Sequence, residues 1–506
     1  MEFNWLSLSP HMILAGGAML LVCIGLMSRR FAGAVAPYYT VVVAAAAAAA
    51  AIWLWVRPAT SWFGALTVDP LFVVFTVIFT ATLALVALLS AGYGPLGDRD
   101  RPEYYALLML VTCAVAFMAS STNLILIYVA IEFSSILSYV LVGYLRGDRF
   151  SAEAGLKYFL YGAVASAVML LGFTLLYGMS GSTDLGVIAQ NLPHVEWFCG
   201  AGSCLSVLAP TTGAAATMPA GFIFLAFALI LVGLGYKISA VPFHMWAPDA
   251  YQGAPTPIAA FLSVASKASG FAVIMRLVLA LHGPLNMVYG GWTKYLGALA
   301  IASMVFGVVI GIVQKDVRRI LAYSSIAHAG FVLLGIVADT AIGFSSVLVY
   351  LALYAAMNVG AFGTVAVIGH VTGKYDLDSY AGMGRRHPLL AVALSVFLLA
   401  LAGIPPLAGF FAKFYILAAL VAGNYIFLAV VAILASVAAL FLYARILKPM
   451  YFDKGEGEDV RGVPAAAAVV LLICVLFTLL LGVWPHLLVT WARGAIEPLL
   501  LAIPVI

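Results

Sequence analysis

The chain has 506 residues, 65% of them hydrophobic and only 9% charged, and its mean hydropathy is +1.13. Soluble domains carry roughly 25% charged residues, so a soluble globular fold is excluded and a polytopic membrane protein is implied. A net charge of +4 on so apolar a chain carries no nucleic-acid signal; the placement of the basic residues is what informs.

Taken in order, the sequence holds about fourteen apolar spans. The first three lie near 11–28, 36–56 and 70–92. The opening stretch, MEFNWLSLSPHMILAGGAMLLVCIGLMSRRF, has no basic residue ahead of its apolar run, and reads as a retained helix rather than a signal peptide. The fourth and fifth spans, near 104–120 and 123–145, are joined by a very short turn, and the sixth covers about 152–179. A polar loop without Lys or Arg follows, from about Gly181 to Pro219. The seventh span runs from about Ala220 to Trp246 and the eighth from about 256 to 282. Further spans lie near 293–313, 318–338 and 344–372. The twelfth starts near Pro388, is interrupted at Pro405-Pro406, and ends near Ala422. The last two lie near 424–448 and 464–490. The expected class is all-α, polytopic, with no soluble domain of any size.

Two spans carry a break. Pro242 in KISAVPFHMW and Pro405-Pro406 in LAGIPPLAGFFAKFY each remove helical hydrogen bonds and clash with the preceding turn. Each break lies in the fourth span of a five-span group, spans 4–8 and 9–13. An odd number of spans inverts the second copy in the membrane, the pattern of inverted-repeat transporters. The expected divisions are an N-terminal three-helix segment (1–103), a first repeat (104–282), a second inverted repeat (283–450) and a C-terminal helix and tail (451–506).

Basic residues set the orientation. With fourteen spans, one set of loops holds 16 of the 24 Lys and Arg residues, and the other set, tails included, holds only Arg57, Lys294 and Arg493. This bias predicts both termini and the 181–219 loop outside, which in a bacterial inner membrane is the oxidising, periplasmic side. Of the five cysteines, Cys23, Cys113, Cys199, Cys204 and Cys474, none has metal-ligand spacing. Cys199 and Cys204 are close enough for a disulfide if that loop meets an oxidising compartment; two free thiols is the alternative. No dinucleotide fingerprint, P-loop or cysteine-rich cluster motif is present, so no cofactor site and no metal site is expected in the chain.

The remaining basic residues, Lys157, Lys237, Lys267, Arg276 and Lys413, fall inside spans, against one acid, Glu132 in LIYVAIEFSSILSYV. A charge at mid-membrane costs roughly 2.5–3.5 kcal/mol on insertion scales and marks a functional site by default. Snorkelling to the headgroups is the plain alternative and is strongest for Lys157, a turn inside its helix. Desolvation disfavours an ammonium and an adjacent carboxylate restores it, so Glu132 is expected to set the proton affinity of a lysine partner. A structural ion pair is the competing reading of that contact. Such a row, linked by water, hands protons along; sodium would want more carboxylates. His244, two residues past the first break, and His328, in AYSSIAHAG, are candidate relays, with a hydrogen-bonded structural role as the alternative.

The stretches LKYFLYGAVASA (156–167), YKISAVPFHMWAPDAYQGAPTPIAAFLSVASK (236–267), QKDVRRILAYSSIAHAG (314–330) and GIPPLAGFFAKFYIL (403–417) resemble the antiporter-like membrane subunits of respiratory complex I, the proton-translocating NADH–quinone oxidoreductase. The resemblance runs from about span 4 to span 13. It implies two inverted repeats, each supplying a half-channel through its broken helix. It matches Glu132 to the fifth-helix glutamate, Lys237 to the seventh-helix lysine paired with it, Lys267 to the central lysine and Lys413 to the twelfth-helix exit group. Lysine at 413 and the KYF pattern at 157–159 favour the N branch of the family over the M branch, and the long lateral helix of the L branch is lacking. Three helices ahead of the first repeat point to a bacterial version. The resemblance implies no redox centre here: NADH, FMN, iron–sulfur clusters and quinone are expected in partner subunits, alongside neighbouring antiporter-like subunits and lipids. The alternatives are a subunit of a multi-subunit cation/proton antiporter, a ferredoxin- or hydrogenase-linked relative of complex I, and a structural scaffold.

Overall fold

The computed structural model describes residues 5–57, 59–62, 64–96, 101–145, 147–192, 195–200, 203–208, 220–282, 285, 291–454 and 462–501; the side chains of 195–200, 203–208, 220 and 371 lie outside the description. The chain folds into α1 (Ser9–Met27), α2 (Arg29–Leu54), α3 (Pro70–Ala91), α4 (Arg101–Ser120), α5 (Leu124–Val142), α6 (Arg149–Ser180), α7 (Ala220–Ile238), α8 (Trp246–Gly253), α9 (Thr256–Ala280), α10 (Thr293–Val313), α11 (Val317–Val337), α12 (Ala341–Thr372), α13 (Pro388–Ala402), α14 (Ala408–Ala422), α15 (Ile426–Phe452), α16 (Ala465–Val483) and α17 (His486–Leu501). Among the described residues, 13 helices are long and apolar enough to cross a membrane, and the broken pair α13–α14 makes one more crossing. The protein is a multi-pass membrane protein with the span count read from its sequence.

Caps explain the boundaries. Asp69, Asn123, Asp148, Asp316 and Thr340 stand before α3, α5, α6, α11 and α12, and each side chain accepts a hydrogen bond from a first-turn amide. Left-handed glycines end α6 (Gly181, φ 69°) and α12 (Gly373, φ 65°). These signals repeat. α6 and α12 are both 32 residues long, and their closing glycines are offset by 192 residues, 181 to 373. An isolated backbone bridge joins Asn123 to Asp184 in the first half, and its counterpart joins Asp316 to Asp376 in the second. These matched lengths, caps and bridges are what two copies of one five-span unit would share, although the sequence shows little self-similarity.

Three expectations change in detail. The second span starts at Arg29, not near 36, because Ser28 alone turns the chain (φ −153°) and Arg29 opens the next helix. The fourteenth span ends at Val483: Pro485 lacks an amide hydrogen, and the chain restarts as α17, which packs on α12 and α3. The 181–219 loop contains a short helix, Leu185–Asn191, and an antiparallel hairpin of Val195–Gly200 with Ser203–Leu208. Cys199 faces Cys204 across that hairpin in backbone register, but their side chains lie outside the described residues.

The central helices are α9, α11 and α12, buried along nearly their whole length, while α1, α2, α6, α15 and α16 present much of their surface outward. The centre holds the ionisable residues of interest. A buried ion pair joins α9 to Asp69, which stands just ahead of α3. The Arg276 guanidinium on α9 donates to both Asp69 carboxylate oxygens, at 3.0 and 2.9 Å, and to the carbonyl of Ala119. Because Asp69 also caps α3, the pair pins α9 to the start of α3.

Candidate functional site

Both proline breaks are present, and each holds a cis X–Pro bond, Val241–Pro242 and Pro405–Pro406. A break leaves backbone groups without helical partners, and side chains use them. At the first break the Val241 amide donates to Ser303 on α10 at 3.0 Å, and the Trp246 indole donates at 3.0 Å to the Tyr236 carbonyl, which also takes the Ser239 amide. At the second, Gly403 (φ 90°) closes α13 and leaves the Ala402 carbonyl free for Lys413, whose ammonium donates to it at 2.9 Å. A side chain at 403 would also press on Lys413, since a Cβ would lie 3.0 Å from its Cδ.

The three lysines expected at mid-membrane are buried, with relative exposures of 1% for Lys237, 3% for Lys267 and 5% for Lys413. Among the described residues none of them makes a carboxylate ion pair; they donate to hydroxyls and carbonyls. Lys237 meets Ser134 Oγ at 2.7 Å and Ser135 Oγ at 3.2 Å on α5. Lys267 meets the Ser325 carbonyl at 2.9 Å and its Oγ at 2.7 Å on α11, and lies 5.9 Å from the Tyr251 ring centre. Lys413 meets Ser436 Oγ at 2.9 Å in addition to Ala402, over the Phe331 ring at 4.8 Å. Lys267 directly follows a π turn, Leu262–Ser266, in α9, a distortion frequent at functional sites. Lys237 runs its aliphatic stem along Gly270, where an added Cβ would lie 3.3 Å from its Cγ, one turn from Lys267.

Glu132 is partly exposed on α5 and lies in Coulomb range of Lys237 without touching it. The expected pair is therefore open, with the serines of the same helix holding the ammonium.

His328 is buried between two tyrosines: Nδ1 is 2.6 Å from Tyr350 OH on α12 and Nε2 is 3.1 Å from Tyr443 OH on α15. Tyr443 is in turn 2.6 Å from Ser324, the neighbour of the serine that holds Lys267. Buried polar atoms without a protein partner mark the same region: Tyr251 OH, Ser266 Oγ, Tyr354 OH and Asn358 Oδ1. Such atoms are where ordered water binds. His244 stands in the first break, half-buried, with a buried Nδ1 that has no partner.

Lys157 is different. It is half-exposed and bonded to Glu153 at 2.7 Å and to Asp249 at 3.0 Å. Asp249, on α8, also takes the Arg319 guanidinium at 2.6 Å, and Arg319 donates to Gln252 and Gln314, each at 3.0 Å. Burial pushes the Asp249 carboxyl up, but the bonds from Arg319 and Lys157 outweigh it and hold the group below its ordinary value. Glu153, Lys157, Asp249 and Gln252 line a 160 Å³ cavity at this face. Asp249 follows the first break and Arg319 lies in the first turn of α11, and charge at the ends of apolar spans is ordinary, so neither stands out in the sequence. Among the described residues no His, Cys, Asp and Glu cluster is placed to hold a metal ion.

Comparison with known proteins follows the same lines. The family model for the transmembrane region of NADH:quinone oxidoreductase and Mrp antiporters matches residues 121–439. A relative from Rhizobium meliloti, NADH-quinone oxidoreductase subunit N 2, is 39% identical over 449 residues, covering 88% of each chain. Subunit N of Trichlorobacter lovleyi is 36% identical over 493 residues, 96% of each chain. A chain of respiratory complex I from Thermus thermophilus, solved with bound aureothin, superposes with a TM-score of 0.76 at 29% identity, covering 96% of this chain and all of that one. A chain of the Mrp complex from Dietzia shares the fold, with a TM-score of 0.82 at 21% identity and 98% coverage of both. The open glutamate–lysine pair, the lysines at two broken helices and these matches converge: the chain belongs to the antiporter-like membrane subunits of NADH-quinone oxidoreductase, in the subunit N branch.

Proposed function

We propose that this chain moves protons across the bacterial inner membrane, with both termini on the periplasmic side, while quinone is reduced in other subunits of the same complex. Its partners are other membrane subunits, including neighbouring antiporter-like ones. NADH, FMN, iron–sulfur clusters and quinone sit in partner subunits. The units that act are the two repeats, 104–282 and 283–450.

One observation carries the reading. Three buried lysines sit without carboxylate partners among the described residues, and between the second and third a histidine is bridged by tyrosine hydroxyls. An ammonium in a low-dielectric interior is poised between charged and neutral forms, so a small change of nearby charge moves its proton. In the proposed order the proton enters toward Lys237, passes Lys267 and the Ser324–Tyr443–His328 chain, and leaves past Lys413. Glu132 is the switch. When it closes on Lys237 it stabilises the ammonium; when it swings away only the serine hydroxyls hold it, and the proton is released toward Lys267. Lys157 and His244 serve the entry side.

The test is proton pumping in vesicles for Lys237→Ala, with quinone reduction followed in the same sample. Both rates are expected to fall while the complex stays assembled. Unchanged pumping and reduction would make Lys237 a structural charge, and loss of assembly would favour a structural pair. A cation/proton antiporter is the second reading, favoured by the shared fold with the Mrp chain. A sodium-independent proton signal in the same vesicles argues against it.

A further inference from the structure

Between α3, α12, α16 and α17 lies an apolar cavity of 380 Å³, open on one side. Its walls include Val74 to Leu85 on α3, Leu348 to Ala356 on α12, Phe477 on α16 and Trp491 on α17. The hydroxyl of Thr82, which faces it, is already used, donating to the Ile78 carbonyl at 2.7 Å. Water entering such a space would lose its hydrogen bonds, and dry apolar cavities take apolar guests. An empty one would forfeit the dispersion contacts of its whole lining. In a membrane the medium at hand is hydrocarbon. The α3 wall from Val74 to Leu85 rises about 16 Å at 1.5 Å per residue, about the depth of one leaflet of a ~30 Å core.

The rim has the charge to hold a headgroup. Trp491 stacks on Trp55 at 5.5 Å, and Gly494 lies against the same ring. This brings exposed Arg493 and exposed Arg57 to one edge. Arg57 covers the Trp53 ring at 4.0 Å, and Arg493 donates to Tyr415 at 3.4 Å. Glu497, one turn on from Arg493, brings one acid to these two bases. Two of the three basic residues that the sequence places on the outer side thus lie two residues from the Trp491–Trp55 stack, of which Trp491 lines the cavity. Indole rings with basic neighbours are what an interfacial phosphate meets.

We propose that the cavity holds an acyl chain of an anionic glycerophospholipid, its phosphate between Arg57 and Arg493. The guest matters to transport through α12. On that helix Leu348, Ala352 and Ala355 face the cavity, while Tyr350 and Tyr354 face His328 from the opposite side. The lipid is a packing wall for the helix that presents Tyr350.

Fluorescence of the intact complex in vesicles tests this. Trp491 lines the cavity, and a Trp491→Phe complex isolates its signal from the other tryptophans. Phosphatidylglycerol brominated on its acyl chain is expected to quench that signal at a several-fold lower mole fraction than brominated phosphatidylcholine. Arg57→Gln with Arg493→Gln is expected to erase the preference, and Ala352→Phe to weaken quenching by both lipids. Equal quenching by the two lipids in the unaltered complex would overturn the anionic headgroup assignment. No quenching of Trp491 by either would mean that protein covers the cavity, and would overturn the proposal entirely. The quenching needs no proton movement, so its failure is separable from failure of the transport reading.

Discussion

Lys413 takes a carbonyl that an unbroken helix would have kept for itself, and His328 takes two tyrosine hydroxyls from two other helices. These contacts define the chemistry at residue scale. Tyr350→Phe keeps the ring and removes the hydroxyl 2.6 Å from His328 Nδ1. A positioned acid–base group contributes at least about 10²-fold, so the transfer step is expected to slow by roughly that factor. Pumping by assembled complex measures it; an unchanged rate would remove Tyr350 from the route. The lysines, Glu132 and His328 were legible in the sequence because a charge or imidazole in an apolar run stands out. Their partners were not. Ser134, Ser135, Ser325 and Ser436 are ordinary in membrane helices, and only folding brings them to an ammonium.

Helix ends decide the next scale. The Asp69–Arg276 pair is buried on both sides, so breaking it leaves an unpaired charge, a loss of about 3–5 kcal/mol. Arg276→Leu is expected to lower the melting temperature and yield of the complex, and Asp69→Leu added to it to recover part of the loss. Failure of the double variant to recover would show that the α3 cap, not the ion pair, carries the stability. Gly403 is a second such point. It sits at φ 90° with Lys413 against it, so Gly403→Ala strains the backbone and displaces the lysine. Pumping is expected to fall more than thermal stability; the reverse order would make the break a structural element only. The breaks were legible from proline; the carbonyl they free, and the side chain that takes it, depend on how the two half-helices meet.

For the whole molecule, the span count, the class and the two breaks were open to reading because hydropathy and proline are local signals. The repeats rest on span counting, and the paired caps and equal helices agree with them at an offset of 192 residues, 181 to 373. The polar network at the Lys157 face was not legible, since it joins residues 92 and 70 positions apart. Its pH behaviour follows from sign. The folded Asp249 carboxyl lies below its ordinary value of 3.8, so its stabilisation is present above that value and is lost only as pH falls through the lower folded one. Asp249→Asn is therefore expected to destabilise the complex by about 1–3 kcal/mol, equally at pH 6 and pH 8. Thermal melts at the two values check this, and a difference between them would mean that another group titrates in the network.

Asp249 has a mechanical consequence as well. One carboxylate holds Lys157 from α6 and Arg319 from the first turn of α11, so it is a tie-rod between the halves. α8, which carries it, follows the first break, and α11 carries Ser325 and His328. On the proposed transport reading, a shift of the first broken segment would pull through Asp249 on the helix that presents Ser325 and His328, and the two halves would move in phase.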